Sequence, residues 1–215
     1  MDRAYIVLPE MFGVNAWPRS LADRLAAQRY PALAVPLFSR TASDLELAYE
    51  ASDLVEGRRH KEATTAEQNL GDVAAALGWL QCRHPQVAIH VAGFCFGGHA
   101  AFLAATLPGV EQAFDFYGAG VSRMRPGGGE PSINLLPEIK ARLTCLFGTA
   151  ETLISAADRE AIGEALRRAD PAGQRLRFVE YAGADHGFMC EARSSFNPRA
   201  SAQGWRLLLG DDPGV

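Results

Sequence analysis

Short apolar runs alternate with amphipathic stretches along most of this chain. The runs are bounded by Gly, Pro or polar residues and lie at residues 4–8, 32–35, 87–92, 110–117, 143–147 and 176–181. Between most of them, apolar residues recur at three- and four-residue spacing, which predicts helices. Strands that alternate with helices are typical of a parallel sheet covered by helices on both faces. The pattern therefore predicts an α/β fold with a doubly wound, mostly parallel sheet.

The predicted helices have recognisable beginnings. Two of them begin with a Ser or Thr followed three residues later by an acidic residue, as helix N-termini commonly do. The helices are predicted at about 18–29, from Thr64-x-x-Glu67 to near Cys82, from Ser155-x-x-Asp158 to about Ala169, and at Pro198–Leu209. Residues 38–60 are polar and irregular, and we expect one or two short helices and a loop there.

Composition narrows the class of protein. The chain has 215 residues, of which 48% are hydrophobic and 21% charged, which predicts a single domain over residues 1–215. Its net charge of −4 gives no reason to expect nucleic acid. No apolar run approaches the ~18 residues of a membrane span, so we expect no membrane. The four cysteines lack metal-ligand spacing, which favours a cytoplasmic protein with free thiols and no cofactor.

The stretch Gly93-Phe94-Cys95-Phe96-Gly97 follows an apolar strand and precedes an alanine-rich helical pattern. This is the strand–turn–helix context of a nucleophile elbow, with cysteine at the position of the nucleophile. The sharp turn requires small residues two before and two after the centre, as Gly93 and Gly97 are. A helix N-terminus also favours a thiolate. The alternative interpretation is a buried structural cysteine at a tight turn.

His186 is the candidate base, because it follows the last predicted strand on a loop between an Asp and a Gly. Among the other histidines, we expect His90 in the core and His60 and His84 in solvent. His99 follows the elbow on its helix and faces either the site or solvent.

A third group should orient His186. Glu151 follows the strand at 143–147 and is the candidate, with the order nucleophile, acid, histidine that α/β-hydrolases use. Asp158 is the alternative, although it falls where the next helix has begun. Glu151 can also be interpreted as a surface residue.

Glu10 follows the first strand, and the carboxyl ends of parallel strands share a crevice. A carboxylate there either repels a thiolate or accepts the thiol proton. A solvated loop glutamate is the alternative.

Together these residues resemble the dienelactone hydrolases (carboxymethylenebutenolidases), cysteine-type members of the α/β-hydrolase fold. The resemblance spans nearly the whole chain. The motifs that carry it are Pro9-Glu10-Met11-Phe12-Gly13-Val14-Asn15, Gly93-Phe94-Cys95-Phe96-Gly97-Gly98, Phe116-Tyr117-Gly118, Gly148-x-x-Glu151, Gly183-Ala184-Asp185-His186-Gly187-Phe188 and Arg193-Ser194-Ser195-Phe196-Asn197-Pro198.

The resemblance implies a hydrolase that cleaves a small carboxylate-bearing lactone or ester through an acyl-enzyme on Cys95. His186 would carry the proton and Glu151 would orient it. Glu10 would pair with the resting thiol and take its proton when substrate binds. The remaining implied site residues are the backbone N–H groups of Met11 and Phe96 as an oxyanion hole and Arg193 as the partner of the substrate carboxylate.

Three features depart from the family. The acid is Glu151 where the family usually has Asp. Nine residues precede Glu10, which predicts a sheet that is short at its N-terminal side. The family's second substrate-binding arginine has no firm match, although Arg58 and Arg59 lie in the right region. A general carboxylesterase or thioesterase, and a non-catalytic relative that binds a small molecule, therefore remain alternatives. We expect a monomer or weak homodimer.

Overall fold

The computed structural model describes residues 2–210. Its sheet has six strands in the order β2-β1-β3-β4-β5-β6, and every neighbouring pair is parallel. The strands are β1 (Arg3–Leu8), β2 (Ala32–Ala34), β3 (Ala88–Phe94), β4 (Val110–Phe116), β5 (Arg142–Gly148) and β6 (Leu176–Tyr181).

Helices cover both faces of this sheet. They are α1 (Ala16–Ala27), α2 (Ala51–Glu62), α3 (Ala66–Arg83), α4 (Phe96–Ala104), α5 (Ala156–Ala169) and α6 (Pro198–Leu209), with a 3₁₀ helix at Ser132–Glu138. On one face, α1 meets α6, where the guanidinium of Arg24 lies 3.9 Å from the ring centroid of Trp205. Right-handed crossovers place α3, α4 and α5 on the other face, where α3 packs against α4. The predicted doubly wound α/β fold is confirmed.

Two helix beginnings differ from the prediction by one or two residues. Asn15 caps α1, because its side chain accepts a hydrogen bond from the N–H of Trp17 at 3.0 Å, so the helix begins before the predicted start at 18. The capping box of α3 is Thr65 with Gln68, and the predicted box one residue earlier is wrong. Thr64 donates its hydroxyl to the carbonyl of His60 instead, at 2.8 Å.

The polar stretch before α3 contains α2. Contacts of the His60 side chain hold this helix in place. The imidazole nitrogens of His60 lie 2.9 Å from Thr41 Oγ1 and 2.9 Å from Glu56 Oε1. The side chain is buried, so the prediction that His60 is solvated is wrong. A second close contact is made by Gly57, where a Cβ would stand 2.5 Å from the carbonyl oxygen of Met11. These contacts bring α2 against the loop that follows β1.

The strand order indicates where along the edge of the sheet a ligand would bind. The chain leaves β1 for β2 on one side and later returns to β3 on the other side of β1. In such a sheet, the crevice outside the carboxyl ends of the two strands at this switch point is the usual ligand site. Glu10 follows β1 and Cys95 follows β3, so both lie at this crevice.

Candidate active site

Cys95 lies at the turn between β3 and α4 with φ 54° and ψ −112°. Non-glycine residues rarely adopt a positive φ, and such strain at a functional site persists only when the surroundings enforce it. Two hydrogen bonds do so here. The N–H of Cys95 donates to the carbonyl of Phe116 at 3.0 Å, and the N–H of Gly97 donates to the carbonyl of Pro9 at 3.1 Å. The second bond ties the cysteine turn to the loop that carries Glu10.

The two glycines that flank Cys95 allow backbone segments to touch. A Cβ on Gly93 would lie 1.8 Å from the carbonyl oxygen of Gly97, and a Cβ on Gly97 would lie 2.4 Å from that of Leu8. Real Cβ atoms cannot approach so closely. The requirement for small residues at these two positions, predicted from the sequence, therefore has a direct steric cause.

Glu151 and His186 form a buried pair. The Nδ1 atom of His186 lies 2.9 Å from Glu151 Oε2, and the second carboxylate oxygen accepts the N–H of Leu153 at 2.9 Å. A carboxylate can only accept, so Nδ1 carries the hydrogen and donates it. The carboxylate is thus held at both oxygens, which fixes the plane of the imidazole ring.

The opposite ring nitrogen, Nε2, is buried and faces Cys95. Burial disfavours the charged form of His186, but Cys95 and, after it, Glu151 outweigh this and raise the pKa of His186 to about 10. The imidazolium is therefore favoured as long as the neighbouring sulfur carries negative charge. The ring also packs edge-on against Tyr117, with centroids 5.0 Å apart. The imidazole of His186 therefore lies between the carboxylate of Glu151 and the side chain of Cys95.

Glu10 is buried and bonded to Arg193. Its Oε1 accepts a hydrogen bond from Arg193 Nη1 at 2.9 Å, while its Oε2 has no hydrogen-bond partner among residues 2–210. Burial raises the pKa of Glu10, and Arg193 and His186 oppose this effect. Gly187 makes room for the guanidinium, since a Cβ there would lie 2.5 Å from Arg193 Nη1. In the described part of the chain, Glu10 thus pairs with Arg193 and makes no hydrogen bond to the Cys95 thiol.

Met11 and Phe96, the residues implied as an oxyanion hole, lie next to Glu10 and Cys95. Phe96 is the first residue of α4, and the N–H groups of a first helical turn have no partner within the helix. Met11 follows Glu10 on the loop that the Gly97 hydrogen bond holds against the elbow. Both residues line the same cavity as Cys95.

This cavity has a volume of about 510 Å³ and opens to solvent. We call it the elbow cavity. Its lining combines apolar side chains with the charged side chains Arg58, Lys61 and Glu62. The lining residues are Met11, Arg58, Lys61, Glu62, Thr64, Cys95, Phe96, His99, Ala119, Met124, Pro126, Gly127 and Leu153.

Two cations of α2 lie among the charged residues of the lining and are candidates for binding an anion. Arg58 and Lys61 both line the elbow cavity, and neither forms a salt bridge within residues 2–210. The neighbouring Arg59 is different, because it pairs with Glu56 at 2.6 Å and lies outside the lining. The structure thereby separates the two arginines that the sequence could not distinguish, and it adds Lys61, which no motif had indicated.

His99 faces the cavity rather than solvent. Its Nδ1 donates to the carbonyl of Ala119 at 2.9 Å, and its Nε2 lies 2.7 Å from Ser132 Oγ. Burial lowers the pKa of His99 to about 4, so the ring is neutral and bridges α4 to the loop before the 3₁₀ helix. Because Ser132 is fully buried, this pair holds the cavity wall in place.

Asp158, Asp115 and Asp185 have partners other than the imidazole ring of His186. Asp158, the alternative to Glu151, is bound to Arg123 and to Ser155 at the start of α5. Asp115 lies on β4 behind the elbow, where a Cβ on Gly98 would stand 2.6 Å from its Oδ1. Burial raises the pKa of Asp115 to about 7. Asp185 accepts the N–H groups of Thr152 and His186 and so connects the loop that carries Glu151 to the loop that carries His186.

No group of three or more His, Cys, Asp or Glu side chains converges as a metal site in residues 2–210. Over the same residues, no helix is both long and apolar enough to cross a bilayer. All four thiols are free.

Comparisons with known proteins point in one direction. The sequence model described as the dienelactone hydrolase family matches residues 2–210. A Synechocystis protein provisionally named carboxymethylenebutenolidase is 37% identical over 206 residues, which cover 94% of this chain and 82% of the relative. The carboxymethylenebutenolidase of Pseudomonas putida is 27% identical over 92% of this chain and 79% of its own. A crystal structure from Klebsiella pneumoniae, provisionally titled a dienelactone hydrolase, has a TM-score of 0.83 at 27% identity and covers 96% of this chain and 85% of that one.

Proposed function

The chain belongs to the dienelactone hydrolase family, which acts on esters and lactones, and we propose that it cleaves small carboxylate-bearing lactones or esters through an acyl-enzyme on Cys95. The observation that carries this proposal is the buried Glu151–His186 pair, 2.9 Å apart, beside a strained cysteine that lines a cavity. The reaction uses only groups of the chain and water.

In the first half of the reaction, the Cys95 thiolate attacks the carbonyl carbon of the substrate. The carbonyl oxygen becomes an oxyanion, and the N–H groups of Met11 and Phe96 stabilise it. The bond between carbon and the leaving oxygen then breaks, and the His186 imidazolium gives its Nε2 proton to that oxygen. A thioester on Cys95 remains, and in a lactone the leaving alcohol stays attached to the acyl group.

In the second half, water attacks the thioester carbon. His186 is now neutral and takes the proton from water through Nε2, while Glu151 stabilises the charge that develops on the ring. The carbon–sulfur bond breaks, the acid is released, and Cys95 returns as a thiolate beside the imidazolium.

Glu10 accepts the proton of the Cys95 thiol. A buried carboxyl with a raised pKa holds a proton more readily than a solvated one, and burial has this effect on Glu10. Its free Oε2 offers a position for that proton. Glu10 becomes neutral when it takes the thiol proton, so the ion pair with Arg193 is the arrangement we expect while Cys95 still keeps that proton.

The substrate carboxylate is bound by cations at the crevice. Arg193 can do this only by exchanging its contact with Glu10. Arg58 and Lys61 line the cavity and have no salt-bridge partner among residues 2–210. A guanidinium offers a carboxylate two parallel hydrogen bonds.

Replacing Arg58 with Ala should raise KM for an aryl hemisuccinate about tenfold, as expected for loss of roughly 1.4 kcal/mol of binding. The matched control is Arg59→Ala, which removes the adjacent arginine outside the cavity. Equal effects of the two variants would refute this anion site.

The nucleophile is tested by comparing variants of two cysteines. Cys95→Ala should abolish turnover of a dienelactone and of an aryl ester, while Cys82→Ala, at an exposed cysteine, should leave both unchanged. Mass spectrometry after rapid quenching of an aryl ester reaction should find the acyl group on Cys95. Full activity of Cys95→Ala would refute the assignment.

A general carboxylesterase is the second candidate, because the elbow cavity has a large apolar side. Turnover of a dienelactone and a neutral aryl ester at equal concentration separates the two candidates. We expect a higher kcat/KM for the anionic substrate, and the preference should fall in Arg58→Ala.

A further inference from the structure

Two large apolar side chains stand exposed at the elbow cavity. Met124 is 47% exposed and Leu153 is 65% exposed, and both line the cavity that contains Cys95. Single exposed apolar residues are common and need no explanation. They line the cavity together with Met11 and Phe96, so the apolar part of the lining includes both buried and exposed side chains.

The cavity is large for a compact lactone. Its volume of about 510 Å³ lies in the range of roughly 300–1,000 Å³ that holds drug-sized ligands. A single-ring lactone occupies only the part next to Cys95. The remaining space borders Met124 and Leu153, whose apolar surface would stay in contact with water.

The geometry of acyl transfer decides which part of a substrate enters this space. The leaving oxygen must face His186, which protonates it, and the oxyanion must face the N–H groups of Met11 and Phe96. His186 does not line the elbow cavity, whereas Met11 and Phe96 do. The remaining substituent of the tetrahedral carbon is the acyl group, and it points into the cavity.

The wall is built before substrate arrives. His99 holds the loop at Ala119 from one side, with Nδ1 2.9 Å from the Ala119 carbonyl. The N–H of Ala66, at the start of α3, holds the carbonyl of Pro126 at 2.8 Å from the other. A preformed apolar wall binds an apolar group without the entropic cost of ordering a loop.

We propose that the natural substrate carries an extended apolar acyl arm, which packs against Met124 and Leu153. This rests on the proposed function, because Cys95 must be the nucleophile. The surfaces of these two side chains then leave water when the arm binds, and the site selects esters by the length of the acyl group.

The test is a series of aryl esters with one leaving group and straight acyl chains from acetyl to octanoyl. Each methylene that becomes fully buried adds about 0.8 kcal/mol, or roughly fourfold. Because the cavity is open, we expect kcat/KM to rise about tenfold to a hundredfold from acetyl to hexanoyl. A second series, with acetyl fixed and the alcohol lengthened, should stay flat.

Variants of Met124 and Leu153 test whether these side chains cause the selectivity for acyl length. Met124→Ser and Leu153→Ser should each lower the ratio of the hexanoyl to the acetyl kcat/KM about threefold to tenfold. Val55→Ser is the matched control, because Val55 is 73% exposed and lies outside the cavity lining. All three changes are at exposed positions, and melting temperatures within a few degrees of each other show that the fold is kept.

Two kinds of result would contradict the inference. The first is turnover that depends on Cys95 but does not follow the expected pattern. A flat acyl series, a rise in the alcohol series instead, or no effect of the wall variants would overturn the acyl arm alone. Absence of Cys95-dependent turnover with every ester would overturn the proposed function and the acyl arm with it.

Discussion

Replacing Glu151 with Gln exchanges one carboxylate oxygen for an NH₂ group and keeps the size and shape of the side chain. In the native chain both carboxylate oxygens accept, one from His186 Nδ1 at 2.9 Å and one from the Leu153 N–H at 2.9 Å. A glutamine has only one acceptor. The Leu153 N–H can only donate and so takes that oxygen, which leaves the amide NH₂ facing Nδ1. Nδ1 must then accept, the ring hydrogen moves to Nε2, and neutral His186 can no longer take a proton there.

The size of the effect follows from the charge that is lost. Two unit charges about 4 Å apart interact by roughly 4 kcal/mol at an effective dielectric constant of about 20. Since about 1.4 kcal/mol corresponds to a factor of ten, this sets an upper limit of about a thousandfold on the loss of proton affinity at His186. The pKa of His186, which Cys95 raises most and Glu151 next, should therefore fall in the variant. In the best-studied serine triad the equivalent change costs about 10⁴ in kcat, and we expect a loss of about 10³ to 10⁴ here.

The assay is kcat/KM for an aryl ester between pH 5 and 10. In the native enzyme, the imidazolium that protonates the leaving oxygen is lost as pH rises through about 10, so activity should fall at the alkaline end of this range. In Glu151→Gln the smaller residual activity should begin to fall at a lower pH. Glu151→Asp keeps the charge but is one methylene shorter and should lie between the two. Glu160→Gln, an exposed residue of α5, is the matched control. Retention of more than a tenth of the activity, with an unchanged alkaline limit, would show that Glu151 does not orient His186.

Other positions give stability predictions. Arg193→Met leaves the buried Glu10 without its cation, and unfolding in urea should show a loss of about 2–4 kcal/mol, part of which Glu10→Gln in the same chain restores; an additive double variant would contradict the pairing. Gly97→Ala puts a Cβ 2.4 Å from a main-chain oxygen at the end of β1 and should cost about 3 kcal/mol or more, whereas Gly71→Ala, with open space around it, should be neutral or stabilising. The pKa of Asp115 is about 7 in the fold against 3.8 as a free group. Between these values the unfolded chain loses the proton and the fold keeps it, so stability falls with rising pH by about 1.4 kcal/mol per pH unit. Asp115→Asn should remove that part of the slope between pH 5 and 7, and identical slopes for native and variant would refute the buried carboxyl.

Local signals set the limits of what could be predicted in the fold. The bounds of β6 and α6 agree with the prediction, because each is an uninterrupted pattern with clear ends, such as Pro198 at the first turn of α6. For the region of α2 the prediction of one or two short helices and a loop gave no bounds, since the sequence is polar and the position of the helix depends on the contacts of His60 with residues elsewhere. Thr64 and Thr65 both precede an acidic or amide residue at the right spacing, and only the backbone geometry distinguishes the true cap.

For the site, the sequence by itself determined which residues follow each strand. Because parallel strands end at one edge, this was sufficient to bring Glu10, Cys95 and His186 to the same crevice. The partners of those groups were decided by the tertiary structure. Glu10 and Arg193 are 183 positions apart, and the choice between Arg193 and the thiol depends on distances of a few ångströms and on burial. The same holds for Arg58 and Arg59, adjacent residues whose side chains leave the helix about 100° apart, so that only the packing of α2 against the Met11 loop determines which one enters the cavity.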